Sequence, residues 1–299
     1  MKRALIRVPA TTANLGPGFD CLGLALDLWN EAEFSVEGEK LHVTVENEGQ
    51  DRLPTDRTNM VAYAFRSFYH HQGLKLPTGL RISCHNDIPV GSGMGSSAAG
   101  VLLGLLGACA ISGRPAAAEE LLTLAAALEG HADNVAAALY GGLTVAVGTG
   151  SNWLVRRFEV PTLQAAVVLP DVRLSTREAR EALPRQVPFT DAVFNAARTP
   201  LVVEAFVRSD MDLLNRSMDD RLHQPYRLKL IPGGAEALAT GRAAGAAVAL
   251  SGAGPSMIAF CAGDAQPAGQ AMLQAFEKAG VQARLFLTQT TSECAQISK

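Results

Sequence analysis

No two cysteines stand close enough in the chain to make a CxxC pair. Cys21, Cys84, Cys109, Cys261 and Cys294 are scattered and odd in number. That excludes a disulfide frame and a cysteine zinc site, and reads as the reduced thiols of a cytoplasmic protein. There is no run of basic residues and the formal net charge is −3, so nucleic acid is not an expected partner. No apolar stretch reaches the ~18 residues that a membrane span requires; the longest, Val101 to Ile111, is far shorter. The opening MKRALIRVPA has Arg7 inside a short apolar run and does not read as a secretory signal. Lysine occurs only at 2, 40, 75, 229, 278 and 299. There is no internal repeat and no low-complexity segment. What remains is 299 residues, 48% hydrophobic and 18% charged. That is enough apolar material for a sizeable core, and length for one large domain or two of about 150 residues.

The most informative stretch is Pro89 to Gly100, PVGSGMGSSAAG. Before it, Leu80 to His85 alternates apolar and polar and reads as a strand. After it, Ala98 to Ile111 is almost wholly Ala, Leu, Val and Gly and reads as a buried helix. A glycine-rich turn therefore leads into a helix N-terminus, where backbone N–H groups lack partners and the dipole favours negative charge. Gly91, Gly93 and Gly95 let the backbone approach a ligand closely, and Ser96 and Ser97 add hydroxyls. This is a phosphate cradle. It is not a P-loop, since no lysine lies between Arg81 and Arg114. Nor is it a dinucleotide fingerprint, since Glu119 and Glu120 sit inside a helical pattern rather than at a strand end.

In chain order, Arg3 to Val8 reads as a strand and Pro9 to Asp20 as a turn-rich loop bearing Asn14 and Asp20. Glu33–Val36 and Leu41–Glu46 read as a hairpin about Gly38-Glu39. A helix follows from Thr58, with Val61, Ala64, Phe65 and Phe68 on one face, and another over Pro115–Leu128. Asp133 and Asn134 have the character of helix N-caps. Leu143–Val147 reads as a strand, and composition shifts after Gly150, which puts a domain boundary near 155. Glu159–Leu169 is a strand. Ser175 and Glu178 form a capping box, on whose helix Thr176 and Arg180 share a face. Helices over Thr190–Val207 and Met211–Asp220 come next. The strands Ala246–Leu250 and Ser256–Cys261 follow, joined by Ser251–Pro255. A helix (Pro267–Ala279) and a strand (Ala283–Leu287) close an α+β second half. Taken singly, Asn14 and Asp20 are also ordinary turn residues, and Arg180 an ordinary solvated arginine.

The order PxxSGxGSSAA resembles the phosphate loop of the GHMP kinases, small-molecule kinases for galactose, homoserine, mevalonate and phosphomevalonate. Five further segments resemble elements of that family, the last of them its third shared motif and the other four its homoserine-kinase version. They are PATTANLGPGFDCLGLAL from Pro9, EGHADNVAAALYGG from Glu129, STREAR from Ser175, DDRLHQPYR from Asp219 and SGAGPS from Ser251. In some relatives several more residues separate the glutamate from the HxDN element; here they are almost adjacent. The resemblance implies an α+β fold of two lobes. Residues 1–155 would form an ATP-binding lobe with a mixed sheet and helices. Residues 156–299 would form a ferredoxin-like α/β sandwich that completes the substrate site.

It further implies that Pro89, Val90, Gly91, Ser92, Gly93, Met94, Gly95, Ser96, Ser97, Ala98 and Ala99 hold ATP, with Asn59 near the adenine. Ser97 and Glu129 would hold Mg²⁺. Asp20 would take the ammonium group of L-homoserine, Arg180 and Arg227 its carboxylate, with Thr176 alongside. Asn14 and Asn134 would orient the hydroxyl and, with Arg180, form the catalytic set. No lysine is placed to act as a base. The implied product is O-phospho-L-homoserine, on the route to threonine, and a homodimer is the family expectation. Two alternatives stand beside this reading: a GHMP kinase for another small alcohol, and a non-catalytic sensor on the same fold.

Overall fold

The chain opens on strand β1 (Arg3–Ala13), whose first residues alternate exposed and buried, with Ala4, Ile6 and Val8 inward. In the computed structural model, which describes residues 2–150 and 152–298, β1 runs five residues past the expected Val8. Met1, Ser151 and Lys299, the last of the six lysines, lie outside the described residues. Pro9 does not end the strand; the register against β2 (Leu22–Ser35) shifts between Pro9 and Ala10 instead, the irregularity at which a sheet tolerates proline. The turn-rich segment is therefore only Asn14–Cys21.

Strand β3 (Leu41–Asn47) is followed by helix α1 (Met60–His71) and strand β4 (Leu80–Asn86). The expected hairpin of β2 with β3 does not form. Strand β4 lies between them, antiparallel to β2 and parallel to β3. Alternation in β3 correctly predicts which face is buried, through Val43 and Val45, but a period of two says nothing about the neighbour. Helix α2 (Ser96–Ser112) is buried on all sides, as its composition predicts. Helices α3 (Ala118–Glu129) and α4 (Asp133–Tyr140) pack beside it. Strands β5 (Leu143–Gly148) and β6 (Trp153–Phe158) then add a hairpin to the first sheet.

The chain passes to a second sheet only at 159–163, so the boundary expected at 155 falls inside β6. The second lobe begins with β7 (Gln164–Pro170). Helices α5 (Thr176–Glu181), α6 (Phe189–Arg208), α7 (Met211–Ser217), α8 (Gln224–Arg227) and α9 (Gly234–Ala243) follow. The lobe ends with β8 (Ala247–Leu250), β9 (Met257–Cys261), α10 (Gln266–Lys278) and β10 (Ala283–Gln289). Its four strands are antiparallel in the order β10-β7-β9-β8, the arrangement expected of a ferredoxin-like lobe. Residues of β7 alternate between two cores. Ala166 and Val168 face Phe276 and Met272 of α10, whereas Ala165 and Val167 share the main core with Phe206 of α6. A short β11 (Gln296–Ser298) returns to pair with β1, so the chain's end belongs to the first sheet. Among the described residues no helix is long and apolar enough to cross a membrane.

Candidate active site

Six separated segments meet in one cleft of about 290 Å³ between the two lobes. Its floor is the glycine-rich turn. Gly95 takes a left-handed conformation (φ 71°) as N-cap of α2, and no side chain caps that end. The first N–H groups of α2 are therefore left for a ligand. Gly91, Ser92, Gly93, Gly95, Ser96, Ser97 and Ala98 line the cleft. The rest of the expected ATP set is placed otherwise. Met94 and Ala99 are buried in the core, and Pro89 and Val90 line a neighbouring groove with Arg52 and Arg173. Ser92 is spent on its own turn, donating to the Pro89 carbonyl and accepting from the Met94 N–H.

The second lobe touches this turn directly. Ser251 Oγ donates to the Gly93 carbonyl at 2.8 Å, and the Ser256 N–H reaches the Ser92 carbonyl at 3.3 Å. The SGAGPS segment thus acts as a backbone strut behind the cradle. Asn59 has no place in the cleft. It is the N-cap of α1: its side-chain oxygen accepts from the Val61 N–H, its amide donates to the Pro54 carbonyl, and it is buried. Asparagine just before a helix is a cap by preference, and that local role accounts for Asn59 here.

Glu129 is the last residue of α3, and its Oε1 accepts from Ser97 Oγ at 2.6 Å. The short spacing to Asn134 therefore does not keep Glu129 from the helix start. Burial raises the Glu129 pKa above the usual glutamate value. A carboxylate and a hydroxyl in contact are hard oxygen donors of the kind Mg²⁺ accepts alongside water and phosphate, so the pair fits that ion. Among the described residues no group of three His, Cys, Asp or Glu side chains is arranged to hold a metal. His131 lies between these groups. Its Nδ1 is 3.0 Å from Asp133 Oδ1 without a formed hydrogen bond, and that carboxylate holds the imidazole above the usual histidine value.

The turn 14–20 is held in a costly backbone. Asn14, Leu15 and Asp20 all have positive φ, and such residues persist where the surroundings over-determine them. Here they do. Asn14 Oδ1 accepts the Asp20 N–H at 2.9 Å, and Asn14 Nδ2 donates to the Gly252 carbonyl at 2.7 Å. Asn14 therefore ties the loop to the second lobe before it meets any ligand. Asn134 is oriented by Thr11, whose Oγ1 donates to its Oδ1 at 2.9 Å. The amide nitrogen retains only a long contact to Asp133 Oδ1, at 3.3 Å. Thr11, His131 and the Gly252 carbonyl were not picked out from sequence. Thr11 lies within the first motif, but past the register shift at Pro9/Ala10 every β1 residue is buried, so alternation does not single it out.

Asp20 and Arg180, expected at opposite ends of one small molecule, are paired with each other. Both terminal guanidinium nitrogens donate to the carboxylate, at 2.8 and 2.9 Å. Asp20 holds the Arg180 pKa up. Both side chains are substantially exposed, at 46% and 38%, so the net stabilisation is about 0–1 kcal/mol. Arg227 is different. It is 2% exposed, and burial lowers its pKa. Nε donates to the Ala179 carbonyl at 3.1 Å, and Nη1 donates to the Gly252 carbonyl at 3.2 Å and faces His223 Nδ1 at 3.3 Å. These bonds engage Nε and Nη1, so the Nη2 donors of the guanidinium remain for a ligand. Thr176 lines the same wall. Among the described residues no lysine lines the cleft.

The chain matches the family described as GHMP kinases N terminal domain over residues 59–142 and that described as GHMP kinases C terminal over 202–278. It is 46% identical over 279 residues to the homoserine kinase of Moorella thermoacetica, covering 93% of this chain and 94% of that one. It is 42% identical over 290 residues to a Synechococcus homoserine kinase, covering 95% and 92%. The crystal structure of homoserine kinase from Cytophaga hutchinsonii superposes with a TM-score of 0.88 at 30% identity, over 100% of this chain and 98% of that one. The crystal structure of L. major mevalonate kinase in complex with R-mevalonate is less similar, with a TM-score of 0.72 at 17% identity over 95% and 94%, which speaks for the fold alone.

Proposed function

We propose that this chain, which belongs to the GHMP kinase family, is an ATP-dependent kinase that phosphorylates the side-chain hydroxyl of L-homoserine. One observation bears most of the weight. A cleft floored by a helix-start anion cradle is walled by a carboxylate, Asp20, and two guanidinium groups, Arg180 and Arg227. The cradle suits a triphosphate, and the wall suits a zwitterion. A polyol would leave this charge unused, and mevalonate, a carboxylate without an ammonium group, would leave Asp20 unmatched.

The free pair of Asp20 with Arg180 stands in for the substrate's own charges. A zwitterion can replace it, its ammonium taken by Asp20 and its carboxylate by Arg180 and Arg227. Since the exposed pair is worth little, parting it costs little. Arg227 is held fixed by two backbone carbonyls, so its free Nη2 supplies preset, charge-assisted donors for a carboxylate. Asn134, with its oxygen engaged by Thr11, presents an amide N–H₂ toward the hydroxyl that is to react. The glycine-rich turn and the free N–H groups of α2 hold the β- and γ-phosphates. Ser97 and Glu129 would hold Mg²⁺, which would supply charge neutralisation for the triphosphate. Positioning and charge neutralisation are most of what phosphoryl transfer asks of a protein. The hydroxyl proton passes to phosphate or water, with no side-chain base. We place the reaction in the cytoplasm, in line with the scattered free thiols. We also assign a homodimer, for which the exposed apolar side chains Phe189, Val193 and Leu201 of α6 offer a surface.

Two variants test the roles in the first lobe. Asp133→Asn keeps an oxygen for the Asn134 N–H that Asp133 now accepts at 2.7 Å, and kcat is expected within about 3-fold of the parent. A loss of ~10²-fold with unchanged melting would make Asp133 a base. Glu129→Gln is expected to raise the Mg²⁺ concentration for half-maximal rate by ~10-fold or more. A metal ligand must be ionised, and Glu129 titrates above an ordinary glutamate. As pH falls, the Mg²⁺ requirement of the parent should therefore rise earlier than a free carboxylate would dictate. A requirement flat across the acid range removes Glu129 from the metal site.

The overall reading is tested by coupled ADP release with Mg-ATP and L-homoserine, L-serine, L-threonine, mevalonate or galactose. Turnover selective for L-homoserine is expected. Selective turnover of mevalonate or galactose would retain the kinase and discard the zwitterion. ATP binding without turnover of any would favour the sensor alternative.

A further inference from the structure

The DDRLHQPYR segment buries a histidine that the proposed chemistry does not use. His223 is fully buried, and three neighbours define its state. Its Nε2 lies 2.8 Å from the Gly16 carbonyl oxygen. A carbonyl only accepts, so Nε2 must bear the proton. Its Nδ1 lies 3.3 Å from Arg227 Nη1. A guanidinium only donates, so Nδ1 must be bare. The two contacts together specify the neutral Nε2–H tautomer. The imidazole also stacks on Phe19, with centroids 5.2 Å apart, and the Arg227 guanidinium lies 5.1 Å from the same ring.

Asp220 does not demand a charged histidine. Its two oxygens already accept from Asn195 Nδ2 and from the N–H groups of Leu222, His223 and Gln224, at 2.6 to 2.9 Å. Its distance to His223 Nε2 is 3.5 Å. Asp220 thus fixes the backbone under His223, while Asn195 also donates to the Pro17 carbonyl. The imidazole is left to bridge the turn 14–20 to Arg227.

We infer that His223 is a positioning residue for substrate recognition: as the neutral Nε2–H tautomer it clamps the Gly16–Phe19 turn with one nitrogen and aims Arg227 with the other. This rests on the reading of Arg227 as the ligand of the substrate carboxylate. Its consequence is selective. Loss of the Nδ1 acceptor should weaken recognition of the carboxylate and spare the rest of the substrate.

The discriminating pair of substrates is L-homoserine and 3-aminopropan-1-ol, which has the same hydroxyl and amine but no carboxylate. His223→Gln keeps a nitrogen donor near the Nε2 position and loses the acceptor beside Arg227. His223→Asn keeps an acceptor near Nδ1 and loses the reach to Gly16. The parent is expected to prefer L-homoserine strongly in kcat/KM. In His223→Gln that preference should shrink by about 10-fold or more, since hydrogen bonds to charged groups carry effects of that order. In His223→Asn it should stay within about 3-fold, even if melting falls. Equal losses on both substrates in His223→Gln would overturn the inference and leave a merely structural histidine. A parent indifferent to the carboxylate would overturn the Arg227 reading itself. If the variants do not fold, ¹⁵N NMR of imidazole-labelled parent decides. An Nε2–H tautomer at neutral pH whose Nδ1 shift responds to L-homoserine but not to 3-aminopropan-1-ol is expected. An Nδ1–H tautomer, or an imidazolium, would overturn the assignment.

Discussion

Arg227→Lys is expected to lower kcat/KM for L-homoserine by about 10²–10³-fold while leaving KM for ATP within about 2-fold. Arginine at this site is buried and makes bonds in three directions, to the Ala179 and Gly252 carbonyls and to His223. Lysine has one nitrogen and no planar fork. It cannot keep those bonds and also present a free donor nitrogen to a carboxylate. Truncating one member of a buried, hydrogen-bonded charge pair costs about 2–5 kcal/mol, and each 1.36 kcal/mol is a tenfold change in rate. Arg180 should respond less. Its side chain is 46% exposed, water can replace it, and Arg180→Lys is expected to cost about tenfold. Steady-state kinetics with each substrate varied in turn checks both. Equal effects at the two positions would mean that burial does not distinguish them.

Gly93→Ala is expected to cost both stability and ATP use. The residue has φ +81°, and an added Cβ would stand 2.3 Å from the Ser251 carbonyl oxygen and 3.0 Å from that of Gly254. Both obstacles are backbone, so relief requires the SGAGPS strut to move off the cradle. Gly91 is the control. Its φ is +70°, and an added Cβ there meets nothing within 4 Å. Both variants carry the left-handed penalty of about 1–2 kcal/mol, and only Gly93→Ala adds the clash. Its melting temperature should fall several degrees further than that of Gly91→Ala. Its kcat/KM for ATP should fall by ~10²-fold or more, the scale of a 1 Å misplacement at a site of chemistry. Equal melting of the two variants would show that the second lobe does not brace the turn.

Much of this was visible in the residues, for reasons that differ by element. The strand–turn–helix around Pro89–Gly100 was legible because its signals are local: alternation, glycine spacing and an all-apolar helix. The capping box at Ser175 and Glu178 was legible for the same reason, and it forms as expected. The partner of β3 was not legible, because alternation specifies a face and not a neighbour. Strand β6 was hidden by a boundary drawn on composition, and its residues, WLVRRF, carry no apolar–polar alternation that would reveal it. Within the site, the motifs located Asp20, Glu129 and Arg227 but not how they are held. Asn195 reaches Pro17 across 178 residues, and His223 reaches Gly16 across 207. No periodicity encodes such ties. The mutual pairing of Asp20 with Arg180 was likewise invisible, since each was read against a ligand rather than against the other.

The most direct test of the whole account is the chemical identity of the product. With the substrate carboxylate held at Arg227 and its hydroxyl turned to the glycine-rich cradle, Mg-ATP and L-homoserine should yield a phosphomonoester on the side-chain oxygen. Phosphorus NMR, with proton coupling to the side-chain methylene, reads this directly. An acid-stable monoester resonance split by two methylene protons, rising one for one with ADP, is the predicted result. An acyl phosphate, or free phosphate with unmodified L-homoserine, would contradict the orientation on which every assignment in the cleft depends.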